Sequence, residues 1–227
     1  MKSFKQFLTE KYNINTVNIK CMPGFFDYMQ ALSKKNKYAK MIIDDSIHSQ
    51  RFDPNKYYDL CEDLLNTSNY HTKLGNNKDA QNYYNEYQSC REVLEYIDDL
   101  VKYEQTYKYT IHLDDGLLKK QYTFKSSKNI QEPKPTGTIN WIYPDSEWLK
   151  NFAKAHKNNV IAPQIIKQKR SMWDNIYLKY YLKCYSEMVN NPYFKKYVSK
   201  NEQKEIENVI TSYKDLIYVL DSKETEK

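Results

Sequence analysis

YYDLCEDLLNTSNYHTKLGNNKDAQNYYNEYQSCREVLEYIDDLVKY, residues 57–103, is the most strongly patterned stretch of the chain. In its second half Ala80, Tyr83, Tyr87, Cys90, Leu94, Ile97 and Val101 recur at alternating spacings of three and four. That is the seam of an amphipathic helix. The first half carries a similar stripe of Tyr57, Leu60, Cys61, Leu64 and His71. Between them stands Leu74-Gly75-Asn76-Asn77, and Gly75 suits the residue just past a helix end because glycine accepts a positive φ. Upstream, Asp53 is a natural N-cap and Pro54 fits the first helical turn. The stretch therefore predicts an antiparallel helical hairpin. Cys61 and Cys90 lie equally far from a turn centred between Gly75 and Asn76, which sets them level across it.

On the N-terminal side, Ser3 is placed to cap a short helix with Phe4, Phe7, Leu8 and Tyr12 along one side. Pro23-Gly24 breaks the chain, Phe25, Phe26, Met29 and Leu32 follow at helical spacing, and residues 38–47 predict another short helix. On the C-terminal side the period changes to two. Tyr107, Tyr109, Ile111 and Leu113 alternate with polar residues, Asp114-Asp115-Gly116 follows, and Leu118, Lys120, Tyr122 and Phe124 alternate again, a β-hairpin pattern. Pro133 to Gly137 reads as a stiff linker, and Ile139, Trp141 and Tyr143 as a third strand. Asp145 or Ser146 starts a helix with Trp148, Phe152 and Ala155 on one stripe, and Pro163 interrupts the chain. Ser171 caps a helix with one stripe of Trp173, Ile176, Tyr177, Tyr180, Cys184 and Met188 and another of Leu178, Tyr181, Leu182 and Tyr185. Ser199 and Glu202 form a capping box ahead of a helix carrying Ile206, Val209, Tyr213, Leu216 and Leu220. Residues 222–227 read as a frayed tail.

The expected fold is mainly α: an amphipathic helical hairpin and further helices, with a small antiparallel β element near residues 107–143. The expected organisation is a helical lobe over 1–106, the β element and Pro-containing linker over 107–143 and a helical lobe over 144–227, together one compact unit. Gly75, Ala80 and Tyr84 in KLGNNKDAQNYYNEY resemble the small, small and aromatic positions of one tetratricopeptide repeat. That resemblance implies a helix pair; with no second copy at a spacing of about 34 residues, it implies no stacked array.

Lysine outnumbers arginine 32 to 3, and Asn, Ile and Tyr are abundant while Gly is scarce. These biases share A/T-rich codons, so an A/T-rich genome accounts for part of the tyrosine content. The net charge of +6 is unevenly placed. Residues 1–113 carry 15 basic and 15 acidic groups, and residues 114–227 carry 20 and 14. The second half is therefore the better ground for an anionic partner. No run of eighteen apolar residues spans a membrane. The first dozen residues lack an apolar core and contain Glu10 and no Arg, unlike a secretory signal or a transit peptide. An intracellular location, or one within a virion or organelle assembly, is expected.

Motifs for chemistry are sparse. No C-x-x-C pair accompanies the four cysteines, no two of His48, His71, His112 and His156 stand at i, i+4, and no glycine-rich phosphate loop or nucleophile elbow occurs. No cofactor and no metal site is expected, and no catalytic residue stands out; His48, His112 and Asp45 could join a pocket, but nothing selects them. His71 is expected to face the seam opposite Ala80 as a packing residue. Cys61 and Cys90 read first as small packing residues and second as a cross-hairpin disulfide. The function expected is a non-enzymatic accessory or scaffold subunit of a larger assembly with other protein subunits as partners. Its docking residues would be Phe4, Phe7 and Leu8 at one end and Trp173, Tyr177, Tyr181 and Tyr185 at the other. The alternative is binding of RNA or single-stranded nucleic acid through Lys167, Lys169, Arg170, Lys179 and Lys183 beside the same aromatics.

Overall fold

A computed structural model describes residues 16–134, 142–167 and 175–225. The fold is mainly α-helical, with two small antiparallel strand pairs among the described residues. The chain forms two compact units, residues 1–108 and 109–227.

In the first unit β1 (Val17–Asn18) pairs antiparallel with β2 (Arg51–Phe52), a two-residue ladder that the sequence pattern did not announce. The ladder closes a segment holding α1 (Phe25–Leu32) and α2 (Lys37–Ser46), both near their expected positions. The hairpin follows as α3 (Pro54–Lys73) and α4 (Asn77–Thr106). Asp53 caps α3 by accepting from the Asn55 N–H, with Pro54 at its start. At the turn Gly75 has φ of +72°, the Gly75 N–H donates to the Thr72 carbonyl and the Asn76 N–H to the His71 carbonyl. These two bonds satisfy carbonyls that the helix end would leave bare, the Schellman arrangement. At 30 residues, α4 is about 45 Å long.

The seam behaves differently along its length. Near the base Cys90, Val93, Leu94, Ile97, Leu100, Val101 and Tyr103 are buried, as are Val17, Ile19, Met29, Ile42, Tyr57 and Cys61 of the same unit. From Glu62 through Ser89 the only buried residues are Ser68 and Ala80. Ser68 rather than His71 faces Ala80, and its hydroxyl donates to the Ala80 carbonyl at 2.8 Å. His71 instead stacks on Tyr83, with centroids 5.3 Å apart.

In the second unit β3 (Tyr109–Leu113) pairs with β4 (Tyr122–Ser126), with Leu113 opposite Tyr122. The expected second strand began at Leu118, but Leu118 and Lys120 lie in the loop. Asp115 explains the longer loop. Its carboxylate accepts from the hydroxyls of Tyr185 at 2.7 Å and Tyr213 at 2.8 Å, and from the Leu117 N–H, so the turn is drawn into the interior. Of the expected third strand, Ile139 and Trp141 lie outside the described residues, and Tyr143 is an exposed coil residue.

The helices of this unit are α5 (Glu147–Ala155), α6 (Ile161–Lys167), α7 (Asn175–Val189), α8 (Phe194–Tyr197) and α9 (Lys200–Thr225). α5 buries Leu149 and Phe152 and exposes Ala155, which the stripe had placed inside. Pro163 does not interrupt; it sits in the first turn of α6, where a missing N–H costs nothing. The Asn159 side chain accepts from the Ile161 and Ala162 N–H groups there, and donates to the Ser212 carbonyl on α9. Ser199 and Glu202 open α9 as a capping pair: the Glu202 N–H donates to Ser199 Oγ, whose hydroxyl donates back to the carboxylate. α9 continues to Thr225, through part of the expected tail. The buried strand faces (Ile111, Leu113, Tyr122 and Phe124) share one core with Leu149, Ile165, Leu178, Met188, Ile206 and Tyr213.

Candidate functional site: the outer hairpin

Two neighbouring surfaces of the α3–α4 hairpin stand out. The first is its far end. Tyr70, Leu74, Tyr83 and Tyr84 are 59, 62, 38 and 43 % exposed, large side chains of the kind that a helix pair ordinarily buries. The tyrosines are held by ring contacts: Tyr70 edge-on to His71, His71 flat on Tyr83, and Tyr84 against Tyr87 at 5.9 Å. The rings therefore form an ordered aromatic surface, with part of their side-chain freedom already lost before any partner arrives.

The second is a groove of about 520 Å³ along one face of the hairpin. α3 contributes Tyr58, Cys61, Glu62, Leu65 and Asn66; α4 contributes Tyr87, Arg91, Leu94, Glu95 and Asp98. Lining residues recur at steps of one, three or four on each helix, so each helix contributes one continuous face. Tyr87, which lines the groove, touches Tyr84, so the groove adjoins that exposed ring. The groove is apolar at Tyr58, Leu65, Tyr87 and Leu94, and rimmed by three carboxylates against the single guanidinium of Arg91.

Two groups in the groove have altered acidity. Burial pushes the Asp98 carboxyl above its ordinary pKa, more than the hydrogen bond from the Tyr58 hydroxyl pulls it down. Cys61 is shifted the other way: a hydrogen bond from the Cys90 thiol lowers it more than burial raises it, and Arg91 lowers it further. Perturbed groups gathered in a concavity are a mark of functional sites. The groove went unread in the sequence because its two stripes mix charged and apolar residues and look like a solvated face. The signal was there in the three-and-four spacing of Tyr58, Cys61, Leu65 and of Tyr87, Arg91, Leu94, Asp98.

The residues singled out from the sequence are distributed otherwise. Phe4, Phe7, Leu8, Trp173, Lys169 and Arg170 lie outside the described residues. Tyr185 is 1 % exposed, with its hydroxyl on Asp115, so its expected docking role is corrected: it is a core residue. Tyr181 is half-buried, 6.1 Å from the Tyr213 ring, and Tyr177 is half-buried. The reason lies in α7 itself, whose core side is the stripe of Leu178 and Tyr185 together with Cys184 and Met188, leaving Ile176 exposed. Lys167, Lys179 and Lys183 are exposed, and Lys179 is 2.7 Å from the Asp221 carboxylate. Cys61 and Cys90 meet across the hairpin as free thiols, not as a bonded pair. Asp45 receives hydrogen bonds from Lys56 and Tyr57, and His112 pairs with Thr123 across the strands.

Among the described residues no helix is long and apolar enough to cross a membrane, and no group of three or more His, Cys, Asp or Glu is placed to hold a metal ion. No family model, no curated protein and no solved structure matches this chain.

Proposed function

We propose that this chain is a non-enzymatic accessory or scaffold subunit of a larger assembly, and that it docks onto protein partners through the outer half of the α3–α4 hairpin. One observation carries the reading: Tyr70, Leu74, Tyr83 and Tyr84 are exposed on the outer half of a helix pair, with the tyrosine rings held in contacts with neighbouring rings. Tyrosine is enriched where binding energy concentrates, because its ring buries a large area at small entropic cost and its hydroxyl keeps a polar contact. The adjoining groove would take one larger side chain of the partner. Tyr177 and Tyr181 are half-exposed aromatics of the second unit and offer a secondary contact beside Ile176.

Size exclusion with light scattering tests the reading, on the purified chain at low and high salt, with and without bulk RNA. Association that persists in high salt and is lost in a Tyr70→Ser/Tyr84→Ser double variant supports it. A monomer that shifts only with RNA, and only at low salt, overturns it in favour of the nucleic-acid alternative through Lys167, Lys179 and Lys183. A monomer indifferent to both also overturns it, and makes the Asp98–Tyr58 groove the place to look for an enzyme.

A further inference from the structure

The wall between the groove and the hairpin core contains two thiols, one from each helix. Cys61, from α3, lines the groove; Cys90, from α4, lies behind it, 1 % exposed and with its Sγ 3.9 Å from the Tyr57 carbonyl. The Tyr57 carbonyl that the Cys90 thiol reaches lies one helical turn before Cys61, so Cys90 meets α3 at the level of Cys61. Arg91, next to Cys90 in the chain, lines the same groove and helps to lower the pKa of Cys61. The other two cysteines differ. All four cysteines are buried, Cys61 at 5 % and Cys21 and Cys184 at 4 and 0 %, but neither of these two lines the groove, and burial pushes the Cys184 thiol up to about 11.

We propose that Cys61 and Cys90 are a hydroperoxide-sensitive dithiol that closes to a disulfide across the hairpin, with Cys61 as the attacked thiol and Cys90 as the resolving one. The assignment of roles follows from the geometry. A small peroxide reaches a thiol from the groove, and only Cys61 stands there. The guanidinium beside it favours the thiolate, the form that reacts.

The step balances with hydrogen peroxide as the oxidant. The Cys61 thiolate attacks one peroxide oxygen, the O–O bond breaks, and hydroxide leaves and takes up a proton to become water. Cys61 is then a sulfenic acid. Cys90 gives up its proton and its sulfur attacks Cys61 Sγ; the S–O bond breaks and a second water leaves. Two electrons have passed from the two sulfurs to the peroxide. The product is a staple joining α3 to α4 and enclosing the aromatic end of the hairpin in a covalent loop from Cys61 to Cys90. Such a loop restricts the unfolded chain. The inference stands independently of what the hairpin docks onto.

The test treats the folded full chain with a few equivalents of hydrogen peroxide, quenches it, alkylates it under denaturing conditions and maps the peptides. The expected result is joint loss of alkylation at Cys61 and Cys90 with the loss of two hydrogens in mass. It should be reversible by dithiothreitol, occur about tenfold or more faster than any change at Cys21 or Cys184, and raise the melting temperature. In Cys90→Ser, Cys61 should stop at a sulfenic acid that dimedone traps. Accumulation of sulfinic acid at Cys61 with Cys90 still reduced overturns the proposal. So does equal reactivity of all four cysteines. If the variant fails to fold, the wild-type peptide map decides alone.

Discussion

Asp115 and Asp98 show how differently one side-chain type is used in the two units. Asp115 accepts two buried tyrosine hydroxyls and a backbone N–H, so it anchors the β3–β4 loop in the second core. Burial, reinforced by that carboxylate, pushes the Tyr185 and Tyr213 phenols upward and keeps them as donors. Asp115→Ala would leave both hydroxyls unpaired and should cost about 3 kcal/mol, read by urea unfolding of the full chain; Asp115→Asn, which keeps an acceptor, should lose less. Asp98 is shifted upward by burial, so it holds its proton to higher pH folded than unfolded. The sign follows: its contribution to stability is full below its unfolded pKa and is lost as pH rises through its folded value. Asp98→Asn should erase that segment of the profile, flattening the urea midpoint just above the ordinary aspartate pKa relative to wild type. Neither role was legible in the sequence. Asp114-Asp115 read as turn chemistry, which is half of what it does; the tyrosines that receive it are 70 and 98 residues away.

Among the elements, the hairpin was legible because local rules alone specify it: a proline-led start, a glycine at the end, and a three-and-four repeat on both arms. Gly75→Ala meets no atom within 4 Å, so its effect isolates the backbone. It should destabilise by about 1 kcal/mol, measured by thermal melting, with Gly75→Asn costing less. What the repeat could not say was where coverage stops. The same pattern reads identically at Cys90, which is buried, and at Tyr83, which is exposed, since coverage depends on α1 and α2. Asn36 marks that boundary. Its side chain accepts from the Tyr38 and Ala39 N–H groups at the start of α2 and donates to the Ser89 carbonyl on α4 at 2.9 Å. Asn36→Ala removes a cap and a tie between elements, and should cost about 2 kcal/mol in chemical denaturation. On α7 two apolar stripes left the buried side undetermined. The strands opposite decide it, and they place Tyr185 inside.

At the scale of the molecule, the charge read from the sequence follows the two units: residues 1–108 are neutral and residues 109–227 carry all of the net +6. The ordered aromatic surface and the acidic groove lie on the neutral unit. The central claim is that this surface engages a protein. A photoreactive benzoylphenylalanine in place of Tyr84, with the same group at the exposed Lys204 of α9 as a control, tests it where the chain is made. The account predicts one discrete protein adduct from position 84 that survives high salt, disappears when Tyr70→Ser is added, and is absent from position 204. No adduct from position 84, equal adducts from both positions, or an adduct to nucleic acid would contradict it.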